Sequence, residues 1–291
     1  MLQVARLAPK ALEDSATLVR DFLLRQQNPD GGFKDRSGRS DLYYAVFGIE
    51  GLLALQADLP AERIEAWLRG YVEGEGLDFV HLCCLARCWA GLASAGLDRL
   101  PAAWREAMAR KLATFRSADG GFHPIPGSKT ATAYGCFLAV AAHQDLRAEI
   151  PEPLRLVQSL KLLETPDGAW ANERGPRLGA TNATAAVTTL LRNLNMPVNA
   201  AIGDWLLAQA HPQGGFIAAP GAPLPDLLST ATALHALAGL QRDPAPVREA
   251  CLDFIDSLWT NEGAFHGHWG DETLDCEYTY YGLLALGHLS L

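Results

Sequence analysis

Four aspartates stand at the head of long, nearly uncharged runs. They are Asp41 in DLYYAVFGIEGLLAL, Asp78 in DFVHLCCLARCWAGL, Asp226 in DLLSTATALHALAGL and Asp275 in DCEYTYYGLLAL. Three residues after them come Tyr44, His81, Ser229 and Tyr278. Residues three apart share a helix face, so each carboxylate has a phenol, imidazole or hydroxyl beside it. Such groups can donate or accept protons, hold a cation or face a carbocation, and tyrosine rings stabilise positive charge through their faces. The plainer alternative is helix capping, in which an Asp accepts the free N–H groups of a first turn and contributes about 1 kcal/mol. Tyr44, Tyr278 and Tyr281 can equally be interior packing, and His81 a hydrogen-bonded interior histidine.

These runs recur. DGGF and its relatives place their first glycines at 31, 120, 168, 214 and 263, with gaps of 89, 48, 46 and 49. The first gap is nearly two periods, so one copy has lost its signature near VEGEGLDFVHLCC. A constant period of this length marks a repeated supersecondary unit. In each period an amphipathic segment such as APVREACLDFIDSLW comes first, with apolar residues three and four apart. A glycine turn with an aromatic plug and a polar loop follow, and then the uncharged run. The uncharged runs open at Asp41, Asp78, Ser128, Ala180, Asp226 and Asp275, and Thr132, Thr184, Thr230 and Thr279 align four places on. Helices apolar on all sides belong in an interior. The pattern predicts an all-α fold, an (α/α)6 toroid of six helical hairpins forming one domain over residues 1–291. An open superhelix is the alternative. In a closed ring, repeats five, six, one and two are neighbours, and their aspartates mark one side of a funnel mouth.

Composition narrows the partners. The chain of 291 residues is 49% hydrophobic with a net charge of -9, and its Arg and Lys are scattered, which argues against nucleic acid. No segment reads as a signal peptide or a membrane span. The six cysteines form no C-x-x-C pair, so reduced thiols and a cytoplasmic location are expected. HGHWGDETLDC gathers His266, His268, Asp271, Asp275 and Cys276, but without diagnostic metal spacing. No metal or cofactor is expected.

The turns QNPDGGF and HPQGGF, with the runs DLYYAVFGIEGLLAL and DCEYTYYGLLAL, resemble the repeats of prenyltransferase β subunits and squalene–hopene cyclases across essentially the whole chain. The resemblance implies a central funnel that binds isoprenoid chains. It also implies sites in which this chain departs from the family. Protein prenyltransferases hold zinc through an Asp-x-Cys in the fifth repeat and a His in the sixth; here those places are Asp226, Leu228 and Tyr278. Their diphosphate-binding Arg and Lys fall on Pro220 and Pro223. Class II cyclases protonate an alkene from the middle Asp of D-x-D-D-T-A, and that place in Asp226–Ala231 is Leu228. Such cyclases usually carry a second toroid, for which the chain has no room. Asp275, beside Cys276 and Glu277, is a candidate for a relocated acid.

The resulting expectation is a funnel for an apolar, isoprenoid-like molecule without the family's zinc. If it is catalytic, Asp226, Asp275 and Tyr278 act together with Asp41, Asp78 and His81, while Tyr44, Ser229, Tyr281 and Leu228 contact the ligand. One alternative is a non-catalytic scaffold for a protein partner, since the family's protein prenyltransferases work with a helical α subunit. Another is a carbohydrate-active toroid with paired carboxylates. A deep apolar funnel favours the first, a plugged funnel beside a flat apolar patch the second, and a broad polar cleft the third.

Overall fold

The computed structural model describes residues 1–291. Two short helices, α1 (Leu2–Ala5) and α2 (Ala8–Leu12), precede six pairs, the outer helix first in each. The first three pairs are α3 (Ala16–Arg25) with α4 (Leu42–Ala54), α5 (Ala61–Arg69) with α6 (Phe79–Ser94), and α7 (Ala102–Ala113) with α8 (Ala133–Asp145). The others are α9 (Pro153–Lys161) with α10 (Thr181–Asn193), α11 (Ala201–Leu207) with α12 (Leu227–Gly239), and α13 (Arg248–Ser257) with α14 (Cys276–Leu289). Each inner helix packs on the next, and α14 packs on α4. The ring is therefore closed, an α/α toroid, and the open superhelix is excluded. No helix is long and apolar enough to cross a membrane.

Residue pattern explains the two layers. Outer α5 buries one stripe, Ile64, Glu65 and Leu68, whereas inner α6 is buried on nearly every side from Phe79 to Leu92. The plug aromatics join the layers. Phe33 and Phe265 lie against Gly48 and Gly282 of the inner helices, where a Cβ would fall 2.3 and 2.5 Å from the rings. The N–H groups of Trp170 and Phe216 donate to Thr184 and Thr230 Oγ1, at 3.1 and 2.9 Å. Between repeats a close approach is made at Gly263, whose φ is +87°. A Cβ there would lie 2.2 Å from the Leu18 carbonyl oxygen on α3. This contact joins the last turn to the first outer helix.

The third repeat departs from the expected register. Its inner helix does not open at Ser128, whose hydroxyl donates to the Ile125 carbonyl in the loop. Thr132 is the cap, accepting from Gly135 N–H at 2.9 Å. Thr132 therefore does not match Thr184 and Thr230. Cys136 does, its Sγ accepting the Phe122 N–H at 3.3 Å. The later cap keeps a spacing of ten positions from plug to cap, 122 to 132, as from 170 to 180, 216 to 226 and 265 to 275.

The inner helices begin at one end of the barrel and finish at the other. At the far end α1 packs on α14 and α4, with the Val4 carbonyl against Gly287. His235, which has no evident partner in the sequence, meets His288 there at 3.0 Å between ring nitrogens. Burial holds the two imidazoles down at about 3 and about 4, so both are neutral near pH 7.

Candidate functional site

The inner ring encloses a cavity of about 310 Å³, at the small end of ligand pockets. Its wall is mostly apolar. Tyr43, Tyr134, Asn182 and Leu228 line it near the helix starts, and Phe47, Phe137, Ala186 and Tyr281 further in. Glu50, Arg87 and Asp145 form a charged floor, with Arg87 2.5 Å from Glu50 and 2.9 Å from Asp145. Tyr134 is 40% exposed although its ring lines the cavity.

All four aspartates cap inner helices at the mouth, and none reaches the cavity wall. One oxygen of each accepts first-turn N–H groups, and the other oxygen distinguishes them. Asp41 and Asp78 share His81, whose Nε2 lies 3.1 Å from Asp41 and whose Nδ1 lies 2.8 Å from Asp78. Burial lowers the His81 pKa, but the two carboxylates outweigh it and hold it above the usual value. Asp226 is taken up by Ser229, whose N–H and Oγ donate at 2.7 and 2.6 Å. Burial raises the Asp226 carboxyl against these bonds. Asp275 is 3% exposed and accepts Arg36 Nε at 3.0 Å, while Arg36 also meets Asp271 at 3.3 Å. The Arg36 guanidinium lies 5.6 Å from the Tyr278 ring centre. Burial first, then Glu277 and Asp226, push the Tyr278 phenol up to about 12.

The structure thus gathers Asp41, Asp78 and His81 into one network and Asp275 and Tyr278 around Arg36, and leaves Asp226 with Ser229. Of the expected ligand contacts, Leu228 and Tyr281 line the cavity, while Tyr44 and the fully buried Ser229 do not. The correction is one of helical phase. The residue two after the cap turns inward, as Tyr43, Tyr134, Asn182 and Leu228 do, rather than the residue three after it.

The same position on α14 is Glu277, which residue spacing three after the cap overlooked. Its Oε1 accepts the Tyr43 hydroxyl at 2.6 Å. Burial lifts its pKa to about 7, opposed by the Tyr43 hydrogen bond and reinforced by Asp275. Burial likewise drives the Tyr43 phenol well above its ordinary range. The floor triad was also missed. Its signal was a charge inside each of three otherwise uncharged runs: Glu50, Arg87 and Asp145.

No group of three or more His, Cys, Asp or Glu side chains is arranged to hold a metal ion. In the HGHWGDETLDC stretch, Asp271 turns to Arg36 and His268 Nδ1 accepts the Gly270 N–H. Cys276 is fully buried.

The model of the family described as prenyltransferase alpha-alpha toroid domain matches residues 7–78 and 180–290. Among solved structures, the type II terpene cyclase MstE from Scytonema is 16% identical with a TM-score of 0.60, over 100% of this chain and 98% of that one. A variant of that cyclase in complex with geranylgeranyl dihydroxybenzoate is 15% identical with a TM-score of 0.61, over 97% of both chains. Candida albicans protein geranylgeranyltransferase-I complexed with GGPP is 14% identical with a TM-score of 0.54, over 99% of this chain and 81% of that one. A comparison with curated proteins finds no match. The cyclase overlap corrects one expectation. A terpene cyclase chain can be as short as a single toroid, so length does not count against cyclase chemistry.

Proposed function

Because the chain belongs to the prenyltransferase alpha-alpha toroid domain family, we propose that its central cavity binds an apolar, isoprenoid-like molecule that carries no diphosphate. The observation that carries this is the cavity itself, enclosed by the inner ring and walled mainly by aliphatic and aromatic side chains. Two solved structures of similar fold contain geranylgeranyl compounds, which supports the substrate class. Charge argues for a neutral head. Arg36 is engaged by Asp271 and Asp275, and Arg87 by Glu50 and Asp145. Developing or standing negative charge needs free donors, and the positions that would supply cations by resemblance are Pro220 and Pro223.

The family's zinc does not fit this donor set. Both oxygens of Asp226 are held by Ser229, Leu228 has no donor atom, and Tyr278 keeps its phenolic proton below Arg36. No zinc-dependent step is therefore part of the function. The apolar wall also speaks against a sugar cleft, since the two carboxylates lining it, Glu50 and Asp145, both serve Arg87.

Native mass spectrometry with geranylgeraniol and geranylgeranyl diphosphate tests the proposal. One alcohol per chain is expected, with the diphosphate at least about tenfold weaker, equivalent to 1.4 kcal/mol. Ala186→Trp, which fills the cavity, should abolish uptake. Tighter binding of the diphosphate, or uptake unaffected by Ala186→Trp, would falsify it.

A further inference from the structure

We propose that the floor of the cavity is a site for a hydroxyl group, so that the bound molecule is an apolar alcohol lying with its hydroxyl inward. This rests on the binding function just proposed and adds to it the chemical class and the direction of the molecule.

The floor has hydrogen-bonding capacity that the fold does not use. Seven buried side-chain polar atoms of the chain find no hydrogen-bond partner. Only two of them belong to residues lining the cavity, Asp145 Oδ2 and the Tyr280 hydroxyl. Neighbouring polar groups of the wall are already paired. Arg87 gives its Nε to Glu50 and its Nη1 to Asp145 Oδ1. Nearer the mouth, the Tyr43 hydroxyl donates to Glu277, and Asn182 Oδ1 accepts the Thr232 hydroxyl.

Both unpaired atoms belong to the surroundings of Arg87. The Asp145 side chain is 9% exposed, and only its Oδ1 is taken by Arg87. Burial lifts the Asp145 carboxyl, and Arg87 opposes the rise. The Tyr280 hydroxyl, from α14, approaches Glu50 without closing a hydrogen bond to it, and Arg87 acts on it as well. Ala141, one turn before Asp145 on α8, also lines the cavity and is small enough to leave room beside the carboxylate.

The two atoms have opposite requirements. A carboxylate oxygen only accepts, whereas the Tyr280 phenol, kept protonated by burial, can donate. A single hydroxyl group meets both requirements, donating to Asp145 and accepting from Tyr280. An ether oxygen can accept but has no proton to give, and an ammonium group donates but cannot accept. A diphosphate would bring negative charge against Glu50 and Asp145. The apolar chain of the alcohol then runs from the floor past Phe137 and Phe47 to Tyr134 and Leu228 at the mouth.

Native mass spectrometry of the full chain with geranylgeraniol and with its methyl ether tests the proposal. The ether keeps the oxygen and loses the proton, so it should bind at least about tenfold more weakly. In Asp145→Asn an amide N–H takes the place of the free acceptor, and the ether should then bind as well as the alcohol. Tyr280→Phe removes a hydroxyl that has no partner in the fold, and should weaken alcohol and ether alike by about threefold or more. Equal uptake of alcohol and ether by the wild type overturns the hydroxyl site and leaves the binding function standing. This comparison needs no variant, so it decides even where Asp145→Asn does not fold. A preference for the alcohol that survives in folded Asp145→Asn also overturns the site, and unchanged affinities in Tyr280→Phe overturn the donor assigned to it. Failure of the wild type to bind either compound overturns both the site and the binding function.

Discussion

The two sides of the ring are built alike and furnished differently. On one side α12, α14 and α4 bring Leu228, Tyr281, Tyr43, Phe47 and Glu50 to the cavity, with Glu277 behind Tyr43. On the other, α8 and α10 present Tyr134, Phe137, Ala141, Ala185 and Ala186. The first side falls within the two segments matched by the family model, whereas on the second α8 lies outside the match and α10 inside it. The joint between plug and inner helix is nonetheless the same on both. Thr230 receives the Phe216 amide on one side, and Cys136 receives the Phe122 amide on the other. Caps are likewise exchanged, Asp226 and Asp275 on one side, Thr132 on the other. Closing the ring requires an acceptor at each of these places, not a particular residue. The charged and phenolic groups that can do chemistry gather where the fold did not demand them.

The largest test of this comparison lies at the glycine turns. Gly263→Ala puts a methyl group against the Leu18 carbonyl at a φ of +87°. Overpacking and backbone strain together should cost about 3–5 kcal/mol. Gly168→Ala, on the other side, meets nothing within 4 Å at a φ of +84°. It should cost only about 1–2 kcal/mol. Urea midpoints measure both, and equal losses would contradict a tight closure at Gly263.

A smaller effect is expected from Glu277. Its folded pKa, about 7, lies above the ordinary glutamate value of 4.5. The folded state therefore holds this proton more tightly than the unfolded chain. The burden on stability is absent below the unfolded pKa and grows as pH rises through 7. Glu277→Gln should accordingly stabilise the protein by about 1–3 kcal/mol at pH 8 and change little at pH 4. Thermal melts across this range decide it, and a variant less stable at pH 8 would refute the buried acid.

The last effects concern the joints, where the smallest is expected at Cys136. Thr230→Val leaves the buried Phe216 N–H without its acceptor and should cost about 1–3 kcal/mol. Cys136→Thr replaces a weak acceptor by the one used in repeats four and five, and should change stability by less than about 1 kcal/mol. A large loss in Cys136→Thr would show that the third repeat is not joined as its neighbours are.

Much of this was legible in the residues. The glycine spacing predicted the hairpins and their closure, and the uncharged runs identified the inner helices. The third repeat was misaligned because Ser and Thr both cap helices, so Ser128 and Thr132 compete in the sequence and only the ten-residue plug-to-cap spacing separates them. The aspartates were seen, and so were the local pairs of Asp78 with His81 and Asp226 with Ser229, but the long-range partners were not. Arg36 and Asp275 are 239 residues apart, and Tyr43 and Glu277 are 234 apart. No local pattern links such pairs.

The sequence by itself determined the repeat, the caps and the division into amphipathic and apolar helices. These follow from local propensity and from periods of three and four residues. Only the tertiary structure decided which position of each inner helix faces the cavity. That phase is set by six helices packing around a common axis, and a rotation of one residue, about 100°, exchanges a lining side chain for a buried one. For this reason Glu277, rather than Tyr278 or Asp275, stands beside the ring of Tyr43.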